Sequence, residues 1–365
     1  MTIEFRNVHA SYDADTPILR GVDFTVYDGE FVAFVGTNGA GKSTTMRLVN
    51  GLLKPEAGTV LIDGVPTTEL KTSELAQRVG FLFQNPDSQI CCSTVRKELM
   101  FGLEALGIDP EEAARRVEAA IAEFGFNPDD DPFLLNRGTR QLLALASIVV
   151  LETPVVVLDE PTTGLDFREC VKVMNIIRQL HANGTTVVMV CHDMEIVADF
   201  AERVIVMSRG RIIDQGPTFE VLRNRATLKA ADLIPPQIVD ISMSLAITHP
   251  GFADMPIARA NTLNEMEAAV AGALGMPERA STVPTYERHA PGAEDAQGIR
   301  KAPDPAARIA AYAVAHAAAR AAAEMEQQEK ATLSQQGKAL DGSVAASRGA
   351  AEPVSDIPSS KGAAR

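Results

Sequence analysis

Residues 36–43 are Gly36, Thr37, Asn38, Gly39, Ala40, Gly41, Lys42 and Ser43, with the spacing G-x-x-x-x-G-K-[ST]. Glycines in this arrangement let backbone N–H groups curl around phosphate oxygens with no Cβ in the way. Lys42 adds a full positive charge toward the β- and γ-phosphates, and the Ser43 hydroxyl suits Mg²⁺. Thr44 continues the run into a predicted helix, whose positive end points at the anion. A second group lies at 155–160, where Val155, Val156, Val157 and Leu158 lead into Asp159 and Glu160. Successive strand residues face opposite ways, but at a strand's end both carboxylates can turn toward one site. Asp159 suits Mg²⁺ held through water, and Glu160 suits a general base that polarises an attacking water. The expected cofactors are ATP and Mg²⁺.

Such groups need a rigid frame. Ile3 and Phe5, then Val22, Phe24 and Val26, alternate with polar residues, which predicts half-exposed antiparallel strands. Residues 31–35 form an unbroken apolar run that ends at Gly36, as a central strand covered on both faces requires. Residues 155–158 and 186–190 share that character, with helical stretches at 44–52 and 170–182 between the runs. Between about 94 and 150 the pattern turns helical: 111–124 is amphipathic, 139–151 reads as a further helix, and no strong strand intervenes. The expected fold class is α/β, a P-loop NTPase with a parallel core sheet, an N-terminal antiparallel β subdomain and an inserted helical subdomain.

The expected domains are an ATPase domain at 1–240, a short C-terminal extension at 241–278 and a low-complexity tail at 279–365. The tail is rich in Pro, Gly, Ala and Ser. Residues 305–330 are dominated by Ala with Arg, Glu and Gln, which predicts a solitary helix ahead of a disordered end.

The chain has 365 residues, 46% of them hydrophobic, enough for a sizeable core. A formal net charge of −14 argues against a general nucleic-acid binder, which needs a basic face. The four cysteines, Cys91, Cys92, Cys170 and Cys191, have neither zinc-site nor redox spacing and are expected as small buried hydrophobes in a reducing compartment. The first residues lack a basic start followed by an apolar run, so no signal peptide is expected. No stretch reaches the roughly 18–20 uninterrupted apolar residues of a membrane helix.

Further residues fall into an ordered set: Tyr12, the phosphate loop, Gln84, a segment at 135–139, Asp159 and Glu160, then Gly164, Leu165 and Asp166, and finally His192. In this order they resemble an ABC-type ATPase over about residues 2–240. The resemblance implies that Tyr12 stacks on adenine and that Gln84 touches Mg²⁺ or the attacking water while coupling the site to membrane subunits. It also implies that Asp166 lies in a loop crossing a dimer interface and that His192 contacts the γ-phosphate. More narrowly, residues 84–89 (Gln84, Asn85, Pro86, Asp87, Ser88, Gln89) are similar to the Gln-loop of energy-coupling-factor ATPases, which power uptake of vitamins and transition-metal ions such as cobalt. Pro235, Pro236 and Gln237, followed by an α/β-looking stretch to about 278, resemble that group's C-terminal segment, which commonly helps two ATPases pair. The implied partners are membrane-embedded coupling and substrate-binding subunits and a second ABC ATPase, identical or related, with no nucleic acid. The implied location is the cytoplasmic face of the cell membrane.

One motif departs from the family. Its signature is usually L-S-G-G-Q, where this chain has Leu135, Asn136, Arg137, Gly138 and Thr139. In the family two ATPases close head to tail, and each signature meets the partner's nucleotide. Asn136 can still donate through its amide. Arg137 brings a Cβ and a charge: either it clashes or its guanidinium reaches phosphate. Two other readings stand beside the transport motor, a soluble ABC ATPase outside transport and an ATP-binding regulatory subunit with low turnover. A single ATPase unit, the lack of room for a long coiled coil between Gln84 and Asp159, and the intact Glu160 and His192 weigh against them.

Overall fold

The computed structural model describes residues 1–12 and 16–273. The expected tail at 279–365, with its helix at 305–330, lies outside the described residues. Strands β1 (Ile3–Ser11) and β2 (Pro17–Val26) pair antiparallel, with Phe5 opposite Phe24 and their rings stacked at 4.3 Å. β3 (Phe31–Gly36) is buried at every position and leads through the phosphate loop into helix α1 (Lys42–Val49). β4 (Ala57–Ile62) and β5 (Val65–Pro66) complete a four-stranded antiparallel sheet in the order β2-β1-β4-β5.

Helix α2 (Thr72–Ala76) and strand β6 (Val79–Leu82) precede the helical insert, which consists of α3 (Val95–Ala105), α4 (Pro110–Phe124) and α5 (Arg137–Val149). The start of α4 is written locally: Asp109 accepts hydrogen bonds from the N–H groups of Glu111 and Glu112, and Pro110 fills the first helical position, where no N–H is needed. β7 (Val155–Asp159), α6 (Phe167–Ala182), β8 (Thr186–Val190), α7 (Met194–Phe200), β9 (Arg203–Ser208) and β10 (Arg211–Pro217) follow. They build a six-stranded sheet in the order β10-β9-β3-β8-β7-β6, parallel except where β10 meets β9. The interior strands β3, β8 and β7 carry unbroken apolar runs, since both of their faces are covered.

Each side of β3 enters a different core. Phe31, Ala33 and Val35 pack in a core that also holds Leu142 and Leu145 of α5 and Val173 and Ile177 of α6. Val32 and Phe34 pack in another core, with α1 and the antiparallel sheet. α5 also serves two cores: Leu143 and Ala146 join Leu99 and Val117 inside the helical insert. Burial of each such leucine contributes about 1.5–3 kcal/mol, so the middle of α5 is anchored from two sides.

The chain continues through α8 (Thr218–Leu222) and α9 (Arg225–Ala230) to α10 (Gln237–Thr248) and α11 (Leu263–Ala273). The α/β-looking stretch expected after Gln237 is helical, and no strand follows β10 among the described residues. Val239, Ser242 and Met243 are its buried residues, a helical spacing fixed by packing that outweighs the β-branched Ile238, Val239 and Ile241. The half-buried Arg223, at the C-cap of α8, ties this extension down. Its guanidinium donates to Ser242 Oγ (3.0 Å), Ala258 O (2.6 Å) and Ala260 O (3.2 Å). The expected boundary near 240 therefore falls within one hydrogen-bonded cluster.

The cysteine expectation is corrected in part. Only Cys191 is buried; Cys91 is exposed, and Cys92 and Cys170 are half-buried. Cys91 and Cys92 lie on a connecting loop, where fewer side chains are available to cover them.

Candidate nucleotide site

The phosphate loop leaves β3 at Gly36, whose φ of +140° suits glycine and where a Cβ would sit 2.0 Å from the Met207 carbonyl oxygen of β9. At its far end Gly41, with φ +103°, caps α1 in a left-handed conformation. No side chain caps α1 and its first turn holds no acid, so the free N–H groups of that turn face the loop. Lys42 is buried. Its ammonium donates to Gly36 O at 2.7 Å and Thr37 O at 2.9 Å, which holds it over the loop. Burial pushes the Lys42 pKa down, while the charges of Glu160 and Asp159 pull it back up.

Asp159 closes β7 and is also buried. Ser43 Oγ donates to its Oδ1 at 3.1 Å. Burial pushes the Asp159 carboxyl up, the Ser43 bond pulls it down, and the neighbouring Glu160 charge pushes it up again. The hydroxyl and carboxylate are hard oxygen donors of the kind Mg²⁺ takes. A divalent cation between them would offset the desolvation of Asp159, so these residues fit the metal.

Glu160 has a φ of +52°, a strained value for a non-glycine residue of the kind found where side chains are aimed at chemistry. Its N–H still donates to Val190 O of β8 at 3.1 Å, so the strain begins where the ladder ends. The carboxylate is gripped from three segments. Gln84 Nε2 donates to Oε2 at 2.7 Å, Thr163 Oγ1 donates to Oε2 at 2.9 Å, and His192 Nε2 lies 2.7 Å from Oε1. A carboxylate only accepts, so Nε2 is the protonated nitrogen of that histidine in this contact. Tyr12 is exposed beside α1, and its hydroxyl accepts from Arg47 Nη1 at 2.9 Å and lies 3.5 Å from Thr44 Oγ1.

The sequence profile of the ABC transporter family matches residues 19–163. An energy-coupling factor transporter ATP-binding protein of Methanothermobacter thermautotrophicus is 39% identical over 243 residues, which cover 66% of this chain and 78% of that protein. The chain belongs to the ABC transporter ATP-binding family. A solved structure of the family, cbiO1 of Clostridium perfringens, described as part of the ABC transporter complex cbiONQ, superposes with a TM-score of 0.57 at 28% identity, covering 68% of this chain and 96% of that one. Some family relatives are longer. The chain is 43% identical to one from Methanosarcina mazei over 240 residues, 65% of this chain, and spans 40% of that protein's length.

In this family member the 135–139 segment stands apart from the phosphate loop and makes no hydrogen bond to it among the described residues. Asn136 caps α5, its Oδ1 accepting from Thr139 N at 2.8 Å. Arg137 is exposed and turns back on its own chain, with Nη2 donating to Thr163 O at 3.3 Å and the guanidinium packed against Gly164. Of the two fates open to Arg137 in the sequence, the fold shows a third, a contact within the chain. Leu135 O accepts from Arg140 at 3.1 Å. Gly138 is buried, and a Cβ there would lie 1.7 Å from Glu169 Oε1. Glu169 and the exposed Asp166 form the capping box of α6.

Sequence reasoning did not single out Thr163, Gln141 or Arg47 for the site. Gln141 is buried on α5 and donates to Pro161 O at 3.2 Å, which links the helix to the turn after Glu160. The segment after Gln84 is docked on α5 as well: Arg140 pairs with Asp87 at 3.0 Å, and Gln89 Nε2 donates to Ala144 O at 2.9 Å. A cleft of about 820 Å³ adjoins the phosphate loop, lined by Gly36, Asn38, His192, Glu195, Leu233 and Gln237 among others. Across it, Glu195 Oε1 accepts from Gln237 N at 2.7 Å.

Proposed function

We propose that this chain is the ATP-hydrolysing motor subunit of an energy-coupling-factor type importer, carrying a vitamin or a transition-metal ion such as cobalt. The observation that carries this reading is the grip of Gln84, Thr163 and His192 on Glu160, beside the Lys42, Ser43 and Asp159 cluster. The phosphate loop, from Gly36 through Ala40 and Gly41 to Thr44, takes the ATP phosphates, Lys42 neutralises charge on the β- and γ-phosphates, and Tyr12 supports the adenine. Ser43 and Asp159 hold Mg²⁺, which when bound supplies further positive charge against the phosphates. Glu160 orients and deprotonates the attacking water, and Gln84 and His192 fix that carboxylate and report its occupancy to other segments.

Two such ATPases close head to tail, with Asp166 and the 135–139 segment facing the partner's nucleotide. The altered signature favours a second, related ATPase with a conventional signature as that partner. On this reading the chain works as a peripheral subunit on the cytoplasmic face, bound to membrane-embedded coupling and substrate-binding subunits; no helix among the described residues is long and apolar enough to cross a membrane. The cbiONQ assembly of a similar protein supports this. Affinity purification of the tagged full chain from membranes is expected to bring down integral membrane proteins and a second ABC ATPase. Recovery of the chain as an ATP-driven homodimer alone, with two fast sites and no membrane partner, overturns the reading.

A further inference from the structure

Cys91, Cys92 and Glu98 lie together in the loop between Gln84 and α3 and in the first turns of that helix. One sulfur from each cysteine and a carboxylate oxygen of Glu98 all lie within 4.8 Å of one another. Neighbouring residues of a strand would send their side chains to opposite sides. Here the chain curls so that both consecutive N–H groups donate to a single oxygen, Glu98 Oε2, at 3.0 Å from Cys91 and 2.8 Å from Cys92. That curl brings the two Sγ atoms to 4.0 Å. Glu98 is 4% exposed, a carboxylate buried among these groups, whereas Cys91 opens to solvent. Neither cysteine takes part in the nucleotide site.

We infer that Cys91, Cys92 and Glu98 form a binding site for one thiophilic divalent cation of the Zn²⁺ class. Two sulfurs 4.0 Å apart, each bound at the usual zinc–sulfur length of about 2.3 Å, subtend an angle of roughly 120° at the metal, about 10° wider than the tetrahedral value. Glu98 supplies a third donor, and the open side at Cys91 supplies the entry path and a fourth position for water. The N–H groups of Cys91 and Cys92 hold Glu98 in place before an ion arrives, the role usually played by outer-shell partners of a metal-ligating carboxylate.

On binding, the two thiols give up two protons and bind as thiolates, and the divalent ion carries the compensating charge. The site lies seven residues or more beyond Gln84 on a loop already docked to α5, so an ion would stiffen the path from the nucleotide to the helical insert. This inference is independent of the transport reading.

The test is titration of the reduced, chelator-treated full chain with Cd²⁺, following thiolate-to-metal charge-transfer absorbance together with equilibrium dialysis. The expected result is one tight Cd²⁺ per chain with a thiolate band, lost in Cys91→Ser and Cys92→Ser. Glu98→Gln keeps an acceptor for the two N–H groups and is expected to weaken binding about 10–100-fold. Cys170→Ser serves as a control that keeps both the band and the stoichiometry. All variants are checked for unchanged ATP affinity, which establishes folding. A band of equal strength in the Cys91→Ser/Cys92→Ser double variant, or no tight Cd²⁺ in the folded wild-type chain, overturns the proposal.

Discussion

Two helix beginnings, those of α1 and α5, show how differently one chain can treat the same structural element. α1 starts from the phosphate loop with a glycine cap and no side-chain acceptor, so its first N–H groups remain available to an anion. α5 starts on the surface, and Asn136 takes up the N–H of Thr139 with its own side chain. The cation near α1, Lys42, is folded inward and buried. The cation near α5, Arg137, is exposed and leans on Thr163 and Gly164 of the same chain. The phosphate loop is thus finished within the monomer, whereas the 135–139 segment presents a side chain already engaged elsewhere. On the proposed reading, this chain brings a complete half-site of its own and an unusual lid for its neighbour's.

The contrast breaks most readily at Glu160. Glu160→Gln is expected to lower steady-state hydrolysis by about 10²–10⁴ while ATP still binds, as measured by phosphate release alongside nucleotide retention. Unchanged turnover would remove Glu160 from the role of base. At the other helix, Gly138→Ala forces Glu169 out of the α6 capping box, with an expected loss of about 0.5–2 kcal/mol in denaturant unfolding. In a Glu169→Ala background the same substitution should cost much less, because the clashing carboxylate is gone.

Asp159 sharpens the comparison through pH. Its folded carboxyl titrates above its unfolded value because it is buried, so between those two values the folded chain holds more protons than the unfolded one. Stability from this group is therefore full below the unfolded value near 3.8 and falls as pH rises through the folded value. Asp159→Asn removes that loss at neutral pH and should raise the thermal midpoint, at about 2–4 °C for each kcal/mol regained. A lower midpoint would show that the Ser43 bond outweighs burial. Arg137→Gly should have the smallest effect on the isolated chain, within about 0.5 kcal/mol of stability and with unchanged ATP affinity by calorimetry. Its effect belongs to ATP-driven pairing, and weakened ATP binding by the single chain would erase the distinction between the two regions.

How far the sequence reached follows the same divide. The loop at 36–43 was legible because close backbone approach leaves little choice but glycine, and β3, β7 and β8 were legible because strands sealed on both faces lose their alternation. Thr163, Gln141 and Arg223 were not, since each acts through a partner brought close by the fold, and polar residues of these types are common anywhere. The exposure of Cys91 was hidden for a related reason: cysteine's usual preference for burial gives no warning of a loop that leaves it open. The helical extension was obscured by β-branched residues, whose strand preference gave way to packing against the turn at Pro256–Arg259 and against α11.

Five of the six residues of β3 are divided between two cores, Phe31, Ala33 and Val35 in one and Val32 and Phe34 in the other. A change of volume in either core presses on the same short segment, and close-packed interiors pass such strain along. Over generations, then, the antiparallel layer and the helical layer cannot drift independently. A substitution that swells one must be answered in the other, or the register of Gly36 shifts with it, so the ancestry of two cores is written into the lineage of one loop.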